Sequence, residues 1–289
     1  MKIKRILPQN NNYTKVLENI ALMPELLYYY GEWPEERVKT VAIVGSRKST
    51  KYGEDVAYRL AKALAEKGII VVSGLAFGVD SVAARGALDG GGRTIAILGT
   101  EIENIYPKRH EKLAERIVEN GGVVASEYKL GDEIYPKTSF LFRNRIISGL
   151  ADFVVVVEAA ERSGSLNTAS HALVQGKELF AVPGDVGKPM SAGCNRLIQK
   201  GANVFLGVED FLRYVIPPKR KKKEIEQISL FGDTPAETDI LRLLSVGVRD
   251  GDLMMERLEM SVEDFNQAIT MLEIKGIVKD LGLNHWELV

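Results

Sequence analysis

Residues 143–168 read RNRIISGLADFVVVVEAAERSGSLNT. Inside them, residues 153–157 (FVVVV) form a short, continuously apolar, mostly β-branched run. A run of that length and composition suits a strand covered on both faces, as in a parallel sheet. The approach to it starts at Arg143-Asn144-Arg145, two guanidiniums around an amide, and continues through an amphipathic turn. The exit passes Glu158 into the small-residue loop Ser163-Gly164-Ser165, with a helix start expected at Asn167-Thr168. The stretch is therefore a buried rod with phosphate-compatible groups at its carboxyl end.

The same pattern repeats on both sides. Short apolar runs at 41–44, 69–72, 94–98, 123–125, 179–182 and 202–206 predict strands. Helical patterns at about 51–67, 80–88, 108–120, 168–175, 195–200 and 208–214 alternate with them. Apolar strands alternating with helices predict an α/β fold, a doubly wound, mostly parallel, Rossmann-like sheet. In such sheets a ligand sits outside the carboxyl ends of the strands, where strand order reverses. Gly45-Ser46-Arg47, Ser73-Gly74-Leu75, Gly99-Thr100, Ser126-Glu127, the Glu158–Ser165 loop and Pro183-Gly184 all follow strands. They are expected to line one crevice.

The flanking segments divide the chain. Residues 1–36 read as an N-terminal arm packed on the core, and 37–216 as the Rossmann-like body. Tyr28-Tyr29-Tyr30 suits a packed strand better than a platform for bases, because aromatic side chains mostly serve packing. Residues 217–232, which include two prolines and five consecutive cations at 219–223, read as a basic linker. That run either binds phosphate or keeps the linker solvated. Residues 233–289 carry three helical patterns and a hairpin, the order of a small winged-helix domain. Its candidate recognition helix holds Glu263, Asp264 and Glu273, a poor charge balance for a DNA groove. A protein-contact role suits it better.

Composition removes other classes. The chain of 289 residues has a net charge of −1, and −6 without residues 219–223, so a polyanion site must be a local patch. No apolar run reaches about 18–20 residues, and the N-terminus has no apolar signal core; a cytoplasmic, non-membrane protein is expected. One cysteine, Cys194, and three scattered histidines, His110, His171 and His285, build neither a disulfide nor an evident metal site. No cofactor is expected, and no catalytic centre is legible.

Several residues suit an anion. Gly45-Ser46-Arg47 offers a close-approach glycine, a hydroxyl and a cation ahead of a helix N-terminus. Arg143-Asn144-Arg145 suits phosphate oxygens, although one arginine could instead pair with Glu158 or Asp152. Ser163, Gly164, Ser165, Asn167 and Thr168 supply neutral donors at a helix start.

Together, VAIVGSR, SGLA-GVD, TIAILGT, YP, ASE, FRNRIISGL, VVEAAERSGSLNTA and FAVPGD resemble the DNA-processing protein A (DprA/Smf) family over nearly the whole chain. The resemblance implies a single-stranded DNA binder that helps load the RecA recombinase in natural transformation, working as a homodimer. It implies DNA contacts at Arg47, Lys137, Arg143 and Arg145, supported by Ser163, Gly164 and Ser165, with Gly45, Ser46, Ser73, Gly74 and Phe77 beside them. The chain departs from the family pattern at four points. Phe77 stands where arginine is usual, which removes a phosphate contact and offers a ring for stacking. Ala84 replaces a common histidine, Leu141 replaces a proline, and the N-terminal helical domain is reduced to residues 1–36. The enzymatic alternative is a LOG-type nucleotide phosphoribohydrolase; His171 stands where that group carries its catalytic glutamate.

Overall fold

The computed structural model describes residues 1–216 and 232–288, the side chains of Pro136 and Lys137 excepted. It consists of two units, Met1–Val215 and Ile216–Val289. The expected basic linker, apart from Gly232, lies outside the described residues.

In the first unit, β1 (Lys4–Ile6), β2 (Leu27–Gly31) and β3 (Thr40–Val44) precede helix α1 (Lys51–Glu66). Then come β4 (Ile70–Ser73), α2 (Val79–Asp89), β5 (Thr94–Ile97), α3 (Glu111–Glu119) and β6 (Val123–Ser126). They are followed by α4 (Pro136–Leu150), β7 (Phe153–Val156), α5 (Gly164–Val174), β8 (Glu178–Ala181), α6 (Pro189–Gln199), β9 (Asn203–Val204) and α7 (Val208–Val215). The strands make one sheet of order β1-β2-β6-β5-β4-β3-β7-β8-β9. From β6 to β9 every pairing is parallel. The architecture is the Rossmann-like, mostly parallel α/β sheet that the alternating pattern predicts.

Strand periodicity sorts the core. Ala42 and Val44 of β3 and Val154 and Val156 of β7 face α4, α5 and α6. Val41, Ile43 and Val155 face the opposite way, onto α1, α2 and α7. Both faces are covered, so the strands need no polar face, and their apolar runs follow.

Three local readings change. Residues 143–150 are not a turn but the second half of α4, which begins with Pro136 in its first turn. Residues 143–150 are all buried, so this half of the helix is covered on every side, and Arg143, Asn144, Arg145 and Ser148 interrupt the apolar pattern. Helix α5 starts at Gly164, capped by Ser163, rather than near Thr168. Helix α6 starts at Pro189 rather than 195, and β9 is two residues long.

The N-terminal segment joins the sheet itself. Strand β2 pairs antiparallel with β6, and β1 pairs antiparallel with β2. Tyr30 is buried against Leu98 and Val124, and Tyr29 packs 5.9 Å from Trp33. These tyrosines pack the strand, which leaves no aromatic platform there.

The second unit holds α8 (Pro235–Ser245), α9 (Gly251–Leu258), α10 (Val262–Ile274) and the hairpin of β10 (Val278–Gly282) and β11 (His285–Leu288). Thr234, Asp250 and Ser261 each accept a backbone N–H as helix caps. Ile240, Leu244, Met254, Phe265, Ile269 and Leu272 form its core.

Candidate nucleic-acid interface

Strand order reverses at β3, whose neighbours are β4 on one side and β7 on the other. The connections leaving β3 and β7 diverge over opposite faces, which opens a crevice at their carboxyl ends. A groove of about 660 Å³ lies there.

One wall is the β3–α1 loop with Gly45, Ser46, Arg47 and Lys48; the other is the β7–α5 loop with Arg162, Ser163, Gly164 and Ser165. Helix α4 supplies Phe140, Arg143 and Asn144, and Ala76, Asp80 and Thr168 complete the floor. Gly78, at φ +73°, lets the start of α2 close against the β3 loop; a Cβ there would lie 2.3 Å from the Ser46 carbonyl oxygen.

Glu158 fixes the loop geometry. Its carboxylate accepts from Thr50 N–H at 2.8 Å and from the Thr50 hydroxyl at 2.6 Å, while its carbonyl accepts from Ser46 N–H at 2.7 Å. The end of β7 thereby staples the whole β3–α1 loop. Glu158 does not orient an arginine, and Asp152 pairs with Arg37 at 2.7 Å.

The two arginines of RNR separate. Positions two apart on a helix point about 200° apart. Arg143 turns into the groove floor: Nη1 donates to Gly74 O at 2.9 Å and to Ile97 O, and Nε donates to Asn144 Oδ1 at 3.2 Å. Burial lowers its pKa to about 10; Asp80 opposes that and Arg47 adds to it. Burial pushes Asp80 above the usual carboxylate range, partly offset by Arg143. The floor is thus close to neutral. Arg145 points the other way. Its Nη1 and Nη2 hold Glu127 at 2.7 and 2.6 Å, its Nε donates to Leu22 O at 2.8 Å, and its guanidinium lies 3.8 Å from the Phe142 ring centroid. It ties α4 to the loop after β6 and to the N-terminal segment, and it does not line the groove.

Positive charge sits on the rim instead. Arg47, Lys48 and Arg162 are exposed, and among the described residues none has a carboxylate within ion-pair distance. Arg47 lies over Phe140, 5.1 Å from the ring centroid. Between these cations is the start of α5. The Ser163 hydroxyl accepts from Ser165 N–H and meets the Ser165 hydroxyl at 2.7 Å. Gly164 faces open space, with nothing within 4 Å of where a Cβ would stand. An unobstructed helix N-terminus carries partial positive charge and unpaired N–H donors.

Of the residues expected at the site, Gly45, Ser46, Arg47, Arg143, Asn144, Ser163, Gly164, Ser165 and Thr168 line the groove. Asn167 stands behind it, its Oδ1 accepting from Asn144 Nδ2 at 3.1 Å. Ser73 is buried and donates to Ile43 O at 2.7 Å, so it links neighbouring strands. Gly74 admits the Arg143 guanidinium, which would lie 2.5 Å from a Cβ. Phe77 packs against His110 outside the groove, ring centroids 5.0 Å apart. The Lys137 side chain is outside the described residues. The six strand-end loops do not share one crevice; those after β5, β6 and β8 lie outside the lining. Lys48, Arg162 and Asp80 are additions. The first two adjoin the GSR and SGS segments, and that adjacency was their only sequence signal.

The second unit has a groove of about 640 Å³ along α8 and α10. Asp233, Asp239, Glu259 and Asp264 line it, and its one cation among the described residues, Lys275, holds Asp233 and Glu237 at 2.8 Å each. Residues 233–289 carry 12 acidic and 5 basic side chains, a net of −7; residues 1–216 carry 25 and 28, a net of +3. Among the described residues no cluster of three metal-ligating side chains occurs, and no helix is long and apolar enough to cross a membrane.

Comparison with known proteins bears on residues 4–216, which match the family model described as DNA recombination-mediator protein A. Protein Smf of Escherichia coli is 44% identical over 262 residues, covering 88% of this chain and 69% of its own length. DNA processing protein DprA of Streptococcus pneumoniae is 41% identical over 196 residues, 68% of each chain. The crystal structure of that protein superposes with a TM-score of 0.67 at 38% identity, covering 73% of this chain and 74% of the other. DNA processing protein A of Helicobacter pylori, whose single-stranded DNA binding mode has been studied structurally, gives 0.66 at 30% identity, covering 75% and 97%.

Proposed function

The chain belongs to the DNA recombination-mediator protein A family, and from that premise we propose that it binds single-stranded DNA in the β3/β7 groove and helps a RecA-type recombinase load onto it. The observation that carries this reading is the set of rim cations, Arg47, Lys48 and Arg162, that have no carboxylate partner among the described residues and surround the open start of α5. A phosphate backbone meets fork-shaped and point cations on one wall and helix N–H donors on the other. Such contacts position a strand without reading its sequence. Arg143 acts beneath them as a positioning residue, holding the ends of β4 and β5 through their carbonyls.

The reading is of a binder and not a catalyst. Asp80, the one carboxylate lining the groove among the described residues, accepts from Gly74 N–H at 3.1 Å and faces Arg143, which gives it a structural role. His171, one turn beyond Thr168, stands outside the groove lining and supplies no carboxylate for phosphoribohydrolysis. The protein acts in the cytoplasm with the recombinase, as a homodimer.

Fluorescence anisotropy with a labelled thymidine oligomer tests the binding step, and calorimetry with AMP tests the nucleotide alternative. The expected result is salt-sensitive oligomer binding, weakened in Arg47→Ala, with AMP neither bound nor hydrolysed. Salt-independent binding, or AMP turnover, would contradict the reading. The recombinase step is measured as RecA filament assembly on strands coated with single-strand binding protein. Assembly should speed up with the wild type and not with Arg47→Ala.

A further inference from the structure

The Tyr106-Pro107 motif lies outside the groove lining, in the β5–α3 connection, just before a single 3-10 turn, Lys108–His110. Both ends of this short segment are pinned to the groove rim. At one end Tyr106, 48% exposed, meets Phe140 with ring centroids 5.6 Å apart. Phe140 lines the groove and carries Arg47 on its face. At the other end His110 Nδ1 lies 2.8 Å from Leu75 O, and its ring packs edge-on against Phe77. Phe77 is 39% exposed and directly follows Ala76, a groove residue. Between the two anchors Lys108 and Arg109 are exposed, and among the described residues neither has an ion-pair partner.

Two accessible rings and two unpaired cations thus continue the groove along one edge. Glu103 and Glu111 are exposed in the same stretch, and among the described residues neither pairs with Lys108 or Arg109. Interleaved aromatic and basic side chains are the arrangement that holds single strands, with bases stacked on rings and phosphates on cations. We propose that residues 106–110 and Phe77 form a second contact zone for single-stranded nucleic acid, used by the part of a strand that extends beyond the groove. This inference rests on the groove being the primary site. It assigns a role to Tyr106 and gives Phe77 one other than phosphate binding.

The test compares a short thymidine oligomer of about 5 nucleotides, which occupies the groove alone, with one of about 20 nucleotides. Lys108→Ala with Arg109→Ala should leave the short oligomer's affinity unchanged. It should reduce the log–log salt slope for the long one by about 1.4, from roughly 0.7 per phosphate contact. Tyr106→Ala should weaken only the long oligomer, by about fivefold or more. Equal weakening of both lengths, or of neither, overturns the second zone. Retention of both lengths by Arg47→Ala overturns the groove itself, a separate outcome.

Discussion

The two units hold grooves of nearly equal size, about 660 and 640 Å³, and of opposite character. In the first, three rim cations have no carboxylate partner among the described residues. In the second, the only lining cation among the described residues is engaged by two carboxylates, and three further acidic residues, Asp239, Glu259 and Asp264, line the same groove. The lesson lies in pairing more than in counting. A paired cation holds the fold and offers little to an incoming phosphate. An unpaired one keeps its charge for a ligand. The same contrast runs within α4 and its surroundings, where Arg145 is committed to Glu127 and Arg47, among the described residues, to no carboxylate.

The largest expected effect is on a paired cation. Arg145→Ala leaves Glu127 without its bidentate partner in a largely buried setting, at a cost of about 3–5 kcal/mol. Urea unfolding of the first unit should show that loss. A variant that stayed fully stable yet bound DNA poorly would make Arg145 a ligand contact and break the contrast. Next is Lys275→Ala in the full-length chain. It should lower the unfolding midpoint of the second unit, because Glu237 is 3% exposed and loses its cation. Affinity for single strands should not change. A drop in affinity would make the second unit a DNA reader.

The smallest effect concerns pH. Burial raises the Asp80 pKa in the folded protein, so ionising this group disfavours the folded state. Its contribution to stability is fully present below the unfolded carboxylate pKa and is lost as pH rises through the raised folded value. In the same window above the ordinary aspartate range, protonation removes a negative charge from the groove floor. Single-strand affinity should therefore tighten as pH falls, by no more than about tenfold for each unit of differential interaction. Asp80→Asn should flatten that profile. An unchanged profile would remove Asp80 from the site's electrostatics.

The architecture was largely legible because short apolar strands such as 153–157 have no polar face to confuse the pattern. The loops after β3 and β7 were legible for the same reason, since the reversal of strand order points to them. Helix α4 was not, because its second half is buried on every side and still carries Arg143, Asn144, Arg145 and Ser148. The sheet partners of β1 and β2 were not either, since a strand's neighbours depend on distant segments. The division of labour between Arg143 and Arg145 was hidden as well. It depends on Glu127, which reaches α4 from the loop after β6. Lys48 and Arg162 look no different in sequence from cations that are paired.

The most direct test of the central claim is the salt dependence of single-strand binding by the wild type and by a variant with Arg47, Lys48 and Arg162 all changed to alanine. The account predicts that log affinity falls linearly with log salt for the wild type. The slope of the triple variant should be smaller by about 2, from roughly 0.7 per phosphate contact. Equal slopes for the two proteins would contradict it.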